Sequence, residues 1–264
     1  MAPRRQNGDT PAMQMLHFVL PRRAAAPFVG ATLFAASLLA AGGASAQSAL
    51  TPFGASGGAP QAPWKVVGLP QQTKPFTRFS VVDLDGKRAV KIEADLSYGN
   101  LVHPLKEHAA PAHLSWQWRI EKPIEGADLR EKRGDDTAVK VCVFYDLPMD
   151  SVPFADRQLL RLARSKTSDP VPTATVCYVW DAKLAVGTTL DNAFTRRMRY
   201  IVLESGMDRL NKWVAEKRDV NADFLKLFGD ESKTVAPIIG IAVGADSDNT
   251  QGHSVAYVSG LSLE

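Results

Sequence analysis

About eight short β-rich segments between residues 78 and 263 constrain the fold more than any other feature of the sequence. They are rich in β-branched and aromatic residues, and Gly, Pro, Asp and Asn separate them, as is typical of strands joined by turns. Asp85-Gly86 between the first two segments is a strong hairpin signal, because both residues adopt positive φ angles readily. The predicted strands are residues 78–84, 89–94, 113–121, 137–145, 173–180, 199–204, 235–244 and 254–263.

Two segments have helical spacing, but they interrupt the strands without alternating with them. Residues 154–164 place Leu159, Leu160 and Ala163 on one side of a helix, and residues 221–228 form the second segment. A parallel sheet needs a crossover connection, usually a helix, after each strand. The pattern therefore predicts an all-β, mainly antiparallel fold: a single β-sandwich or jelly roll with one or two short helices.

Residues 1–46 have the pattern of a secretory signal peptide. Arg22 and Arg23 precede an apolar run of small residues over 24–41, and the segment ends in Ala44-Ser45-Ala46, an A-x-A cleavage pattern. The run is about as long as a spanning helix, but glycine and proline interrupt it. We therefore expect cleavage after Ala46 and a periplasmic or secreted protein with no transmembrane segment after signal cleavage.

The composition of the remaining chain separates a linker from a domain. Residues 47–63 are rich in Ala, Gly, Pro, Ser and Gln, which predicts a flexible linker, and residues 64–264 form the β-sandwich domain. Residues 1–46 contain four arginines and one aspartate, so basic and acidic side chains are equal in number in the rest of the chain. Because a phosphate backbone requires a basic face, this balance argues against a nucleic-acid partner.

Acidic residues cluster at the ends of two predicted strands. Asp135 and Asp136 lead into the strand at 137, and Asp246, Asp248 and Asn249 follow the strand at 235–244. Carboxylate and carbonyl oxygens are the ligands that calcium prefers, which makes calcium the candidate cofactor, with Asp246 and Asp248 as candidate metal ligands. The alternative is that these side chains bond backbone groups within a tight turn, as Asp and Asn do readily.

Three further residues carry alternatives of their own. Trp180 ends a predicted strand beside Asp181, so its ring is either a stacking platform for a sugar or part of the core. Cys142 and Cys177 each lie within a predicted strand, and they are either a disulfide across a loop of about 35 residues or two buried thiols.

Several short motifs occur together and in order over about 150 residues. They are Leu114-Ser115-Trp116-Gln117-Trp118, Gly134-Asp135-Asp136, Tyr178-Val179-Trp180, Arg218-Asp219-Val220, Asp223-Phe224, Phe228-Gly229 and Gly240-Ile241-Ala242-Val243 leading to Asp246-Ser247-Asp248-Asn249-Thr250. In this order they resemble a family of bacterial exported proteins known only as a domain of unknown function. The resemblance implies a jelly-roll sandwich similar to carbohydrate-binding modules. Asp219 and Phe224 depart from the family pattern, which has Asn and Tyr there.

No short catalytic motif accompanies these features: the sequence has no G-x-S-x-G, no phosphate-binding Gly-rich loop with Lys and no H-E-x-x-H. The prediction is a non-catalytic binding module for a saccharide or envelope polymer, assisted by calcium. Its candidate ligand-binding residues are Asp135, Asp136, Trp180, Arg218, Asp246, Asp248 and Asn249. One alternative is a carbohydrate-active hydrolase or lyase that uses a pair of these aspartates. Another is a structural envelope protein.

Overall fold

Two β-sheets face each other in a jelly-roll sandwich. The computed structural model describes residues 48–108 and 113–264, so the predicted signal peptide at residues 1–46 lies outside the described residues. The larger sheet has seven strands in the order β1 (Lys65–Val67), β4 (Tyr98–His108), β11 (Ile238–Asp246), β6 (Thr137–Tyr145), β7 (Ala174–Asp181), β9 (Met198–Ser205) and β8 (Thr189–Asp191). The smaller has five, in the order β10 (Val214–Asp219), β5 (His113–Lys122), β12 (His253–Leu263), β3 (Lys87–Asp95) and β2 (Arg78–Leu84).

The strand pairing confirms the predicted fold class. Every neighbouring pair is antiparallel except β7 and β9, which are parallel. All eight predicted strands are present, and the structure adds β1, β4, β8 and β10. Among the helices of the described residues, none combines the length and the apolar composition that a membrane crossing requires.

The main core lies between the two sheets. Val139, Val141 and Val143 of β6 point inward and are fully buried, as their alternation predicts. Trp116 of β5 comes from the opposite sheet, and its ring centroid lies 5.3 Å from that of Tyr178 in β7. Each large apolar side chain buried here contributes about 1.5–3 kcal/mol relative to an exposed one.

The outer face of the seven-stranded sheet carries a second set of side chains. Cys142 and Cys177 lie directly opposite each other in the β6–β7 pair and are joined by a disulfide. They belong to a smaller buried cluster that also contains Val179 and Tyr200. This outer face, rather than the core, positions the functional groups described below.

Both residues that depart from the family pattern lie at helix α2 (Val220–Phe228). Asp219 is its N-cap, because its side chain accepts hydrogen bonds from the backbone N–H groups of Asn221 and Ala222 at 3.0 and 2.9 Å. Phe224 is fully buried, with its ring centroid 4.6 Å from that of Tyr145.

The helix α1 (Phe154–Arg164) has the predicted bounds but not the predicted packing. Leu160 is buried, whereas Leu159, predicted on the same side of the helix, is exposed. The helix therefore presents apolar side chains to solvent.

The segment expected to be a flexible linker is packed against the sandwich. Leu50 and Phe53 are buried in the main core, and Ala49 N–H donates to the carbonyl of Leu263 in β12 at 3.0 Å. The expectation for residues 47–63 is therefore wrong for the described part, residues 48–63. A few well-placed apolar side chains anchor a segment whose average composition is that of a linker.

Candidate functional site

The two acidic clusters meet at one end of the seven-stranded sheet. Asp136 accepts hydrogen bonds from the backbone N–H groups of Asn249 and Thr250 at 3.2 and 2.6 Å. It also accepts from the amide of Asn249 at 3.2 Å and from the hydroxyl of Thr250 at 2.6 Å. Both carboxylate oxygens are therefore engaged in holding the turn after β11. Asp136, predicted as a ligand contact, serves this turn instead, and the side chain of Asn249 is partly engaged by it.

Asp246 forms a buried ion pair with Lys140. The Lys140 Nζ lies 2.8 Å from Asp246 Oδ2, and their side chains are 1% and 6% exposed. Asp246 Oδ1 accepts from the backbone N–H and the hydroxyl of Thr137 at 2.9 and 2.6 Å. Burial alone lowers the pKa of Lys140, but the charge of Asp246 outweighs it, so the pKa lies above its ordinary value.

The predicted calcium site is therefore not supported by the geometry. The ammonium of Lys140 holds the position beside Asp246 that a metal cation would take, and Thr137 uses the other carboxylate oxygen. Among the side chains of residues 48–106 and 113–264, no group of three or more His, Cys, Asp or Glu is arranged to hold a metal ion.

Asp135 faces the opposite way from Asp136 and lines a cavity. Its Oδ2 accepts from the Asn192 amide at 2.5 Å, and its Oδ1 accepts from the Tyr200 hydroxyl at 3.4 Å. Burial, followed by the negative charge of Asp246, raises the pKa of Asp135 to about 6. Below that pH the carboxyl group is protonated and donates a hydrogen bond, whereas above it the carboxylate only accepts hydrogen bonds.

Asp248 lines the same cavity from the turn after β11. Its Oδ1 atom is buried and has no hydrogen-bond partner among the described residues. Burial, followed by the charges of Asp136 and Asp246, raises the pKa of the Asp248 carboxyl. The cavity wall thus contains the carboxyl groups of Asp135 and Asp248. Within the described part of the chain, neither forms an ion pair with a lysine or an arginine.

Two adjoining cavities form a continuous groove along the outer face of the seven-stranded sheet. The first, of about 450 Å³, is the polar end and contains Asp135, Lys140 and Tyr200. The second, of about 390 Å³, is the apolar end, with Phe144 of β6 and Leu160 of α1 in its walls. The two share the lining residues Leu69, Tyr98, Phe194, Thr195 and Met198, and we call the combined feature the groove.

Trp180 and Arg218, both predicted to contact ligand, do not line the groove. Trp180 is 4% exposed, and its Nε1 donates to the carbonyl of Gly206 at 3.0 Å, so it belongs to the core and has no free ring face. Arg218 lies on β10 of the other sheet and is paired with Asp223 at 2.6 Å. Trp180 is absent from the groove because strand alternation points its side chain inward, between the sheets.

Most residues of the groove were not predicted from the sequence. Asn192, Phe194 and Thr195 lie in the loop between β8 and β9, where nothing in the sequence marks a site. Lys140 did leave a signal, since a lysine within a strand of otherwise apolar residues requires a buried partner or a functional surface.

A family model described as "Protein of unknown function (DUF3047)" matches residues 62–262. No curated protein matches the chain.

Solved structures with a similar fold include a meso-active, thermostable cellulase derived from Cel12A of Rhodothermus marinus. It is 10% identical, with 76% of this chain and 95% of that chain covered and a TM-score of 0.39. Endoglucanase 3 of Trichoderma harzianum, from family GH12, is 9% identical, with 77% and 99% covered and a TM-score of 0.38. At these scores the likeness has no bearing on activity.

Proposed function

The chain belongs to the DUF3047 family, whose function is unknown, and we propose that it is an exported, non-catalytic binding module for a saccharide or another envelope polymer. Export follows from the predicted signal peptide. The observation that carries the binding proposal is the groove, which runs along the outer face of the seven-stranded sheet and is polar at one end and apolar at the other.

The polar end supports a ligand that carries hydroxyl groups. Asp135 offers a carboxyl group, Asn192 an amide and Tyr200 a phenol, and all three are already ordered by hydrogen bonds to one another. Prior ordering lowers the entropy lost when a ligand binds. Groups that both donate and accept suit the hydroxyls of a sugar, each of which does the same.

The shared middle of the groove supports contact with the apolar faces of a ligand. Phe194 and Leu69 are both exposed there, and Tyr98 lies between the two cavities. Aromatic rings offer a large contact area at a small cost in side-chain entropy. An extended polymer would place one unit against the polar groups and further units along the apolar walls.

The test is retention of the protein on a panel of gel-immobilised envelope polysaccharides. We expect Phe194→Ala to weaken retention about tenfold, because the substitution removes apolar ring surface that the ligand would bury. Phe76→Ala is the matched control, since the two side chains are similarly exposed, at 56% and 51%, and Phe76 does not line the groove. Absence of retention on every polymer, or equal losses in both variants, would count against the proposal.

A hydrolase or lyase is the second candidate, and one observation favours it: Asp135 lines the groove with its pKa raised to about 6. A carboxyl group that holds its proton to this pH is suited to general acid catalysis. Of the other three aspartates in the predicted clusters, Asp136 and Asp246 have both oxygens engaged, so Asp248 is left as the second carboxylate.

Asp135→Asn separates the two candidates. An enzyme would lose turnover by a factor of about 10²–10⁴ while still being retained on the polymer. Its wild-type rate would fall as the pH rises through about 6, because the acid loses its proton. A binding module would release no products with either chain, and a reducing-end assay on the retained polymer distinguishes these results.

A further inference from the structure

The outward side of α1 is a large apolar surface beside the groove. Phe154, Leu159 and Leu162 are 71%, 61% and 57% exposed, although all three are large apolar side chains. Leu159 and Leu162 lie on one stripe, since residues three and four apart face the same way on a helix. We call Phe154, Leu159 and Leu162 the α1 face.

A row of basic side chains flanks the α1 face. Arg157, Arg161 and Arg164 follow three- and four-residue spacing on the stripe beside Phe154, and Lys166 lies just beyond the helix. Arg157 and Arg164 lie 3.8 and 3.6 Å from exposed carboxylates. Arg161 and Lys166 are exposed and have no ion-pair partner among the side chains of residues 48–106 and 113–264.

From this pairing of apolar and basic stripes we propose that α1 binds the surface of an anionic phospholipid membrane. A helix that lies in a membrane interface buries Leu and Phe side chains among the acyl chains, while Arg and Lys contact the lipid phosphates. The proposal is independent of the proposed function. Leu159 also lines the apolar end of the groove, so docking through α1 would place that end at the lipid headgroups.

A second copy of the chain is a poorer occupant of this surface. In a two-fold dimer the α1 face would meet itself, which would bring the unpaired cations Arg161 and Lys166 of both copies together. A helix of 11 residues also offers less than the roughly 800 Å² per partner of a standard stable interface. A lipid surface instead supplies the opposite charge.

The experiment is flotation of the purified, exported protein with two kinds of vesicle: phosphatidylcholine alone, and phosphatidylcholine mixed with phosphatidylglycerol. We expect binding to the mixed vesicles that weakens with added salt. Arg161→Gln with Lys166→Gln should lower the affinity about thirtyfold, as two cations near the membrane are lost. Phe154→Ser with Leu162→Ser should lower it about tenfold or more, and both residues lie outside the groove lining.

Val186→Ser with Lys217→Gln is the matched control, because it removes one exposed apolar side chain and one exposed cation away from α1. Circular dichroism melts establish that every variant is folded. Any signal peptide that is retained is present in all variants alike, so their comparison isolates α1. The proposal is overturned if the protein ignores the anionic lipid, if both α1 variants float like the wild type, or if the Phe154 and Leu162 substitutions abolish a dimer and leave vesicle binding unchanged.

Discussion

Among single residues, Lys140 and Asp246 depend on each other most directly, because each neutralises the buried charge of the other. Lys140→Met leaves the carboxylate of Asp246 in a buried position without its cation, which costs about 3–5 kcal/mol. Adding Asp246→Asn removes the stranded charge while keeping an oxygen acceptor for Thr137. In urea unfolding, the double variant should therefore lose about 2 kcal/mol less free energy of unfolding than the two single variants lose in sum.

An exposed ion pair provides the control for this cycle. Lys65 Nζ and Asp169 Oδ1 lie 2.5 Å apart, but the two side chains are 45% and 36% exposed. Lys65→Met should cost less than about 1 kcal/mol, because water already screens the pair. Equal losses for Lys140→Met and Lys65→Met would mean that Lys140 is not buried with Asp246.

Asp135 and Asp136 are adjacent in sequence but have different surroundings. Asp135 and Asp136 were predicted as one acidic cluster at a strand end, and the cluster does lie at the site. Asp135 lies in a bend before β6, with φ −75° and ψ 62°, and the backbone N–H of Asp136 donates to the carbonyl of Gly134 at 2.8 Å. This bend turns Asp135 toward the groove and Asp136 toward the turn after β11. Which aspartate faces the groove depends on the partners across the sheet, and a single sequence does not contain them.

Among the secondary-structure elements, β6 and β7 are held together by a disulfide as well as by backbone hydrogen bonds. It closes a segment with a sequence separation of 35 residues, so its loss should cost about 3–4 kcal/mol by the entropy of the unfolded chain. Replacing Cys142 and Cys177 together by Ala should lower the melting temperature by about 10 °C. Reductant should lower the wild-type melting temperature similarly and leave the Ala variant unchanged. A wild type that is insensitive to reductant and melts with the variant would refute the prediction.

The strands that sequence reasoning found and missed differ in a simple physical respect. The eight predicted strands contain runs of β-branched and aromatic residues, whereas β1 and β8 have three residues each. Strand β4 contains Pro104, and β10 is largely charged. Such strands form because neighbours pair with them, so their stability comes from the sheet rather than from local preference.

The contacts of residues 48–63 bear on the stability of the entire sandwich. Average composition predicts flexibility for residues 47–63, but burial depends on where the few large side chains fall. Leu50 and Phe53 enter the core, and the ring centroid of Phe53 lies 4.8 Å from that of Trp64. This segment also contacts both sheets, since Ala49 bonds to β12 while the backbone N–H of Thr51 donates to His103 of β4.

A segment that joins two sheets should stabilise the sandwich as a whole. Phe53→Ala removes a buried aromatic ring and should cost about 3–5 kcal/mol, which lowers the melting temperature by roughly 6–20 °C. Leu69→Ala is the control, because Leu69 is about half exposed and its truncation leaves no core cavity. A chain that begins at residue 64 should lose more stability than Phe53→Ala, since the contacts of Leu50 and Ala49 go as well. If that shortened chain melted with the wild type, residues 48–63 would be the flexible linker that their composition predicts.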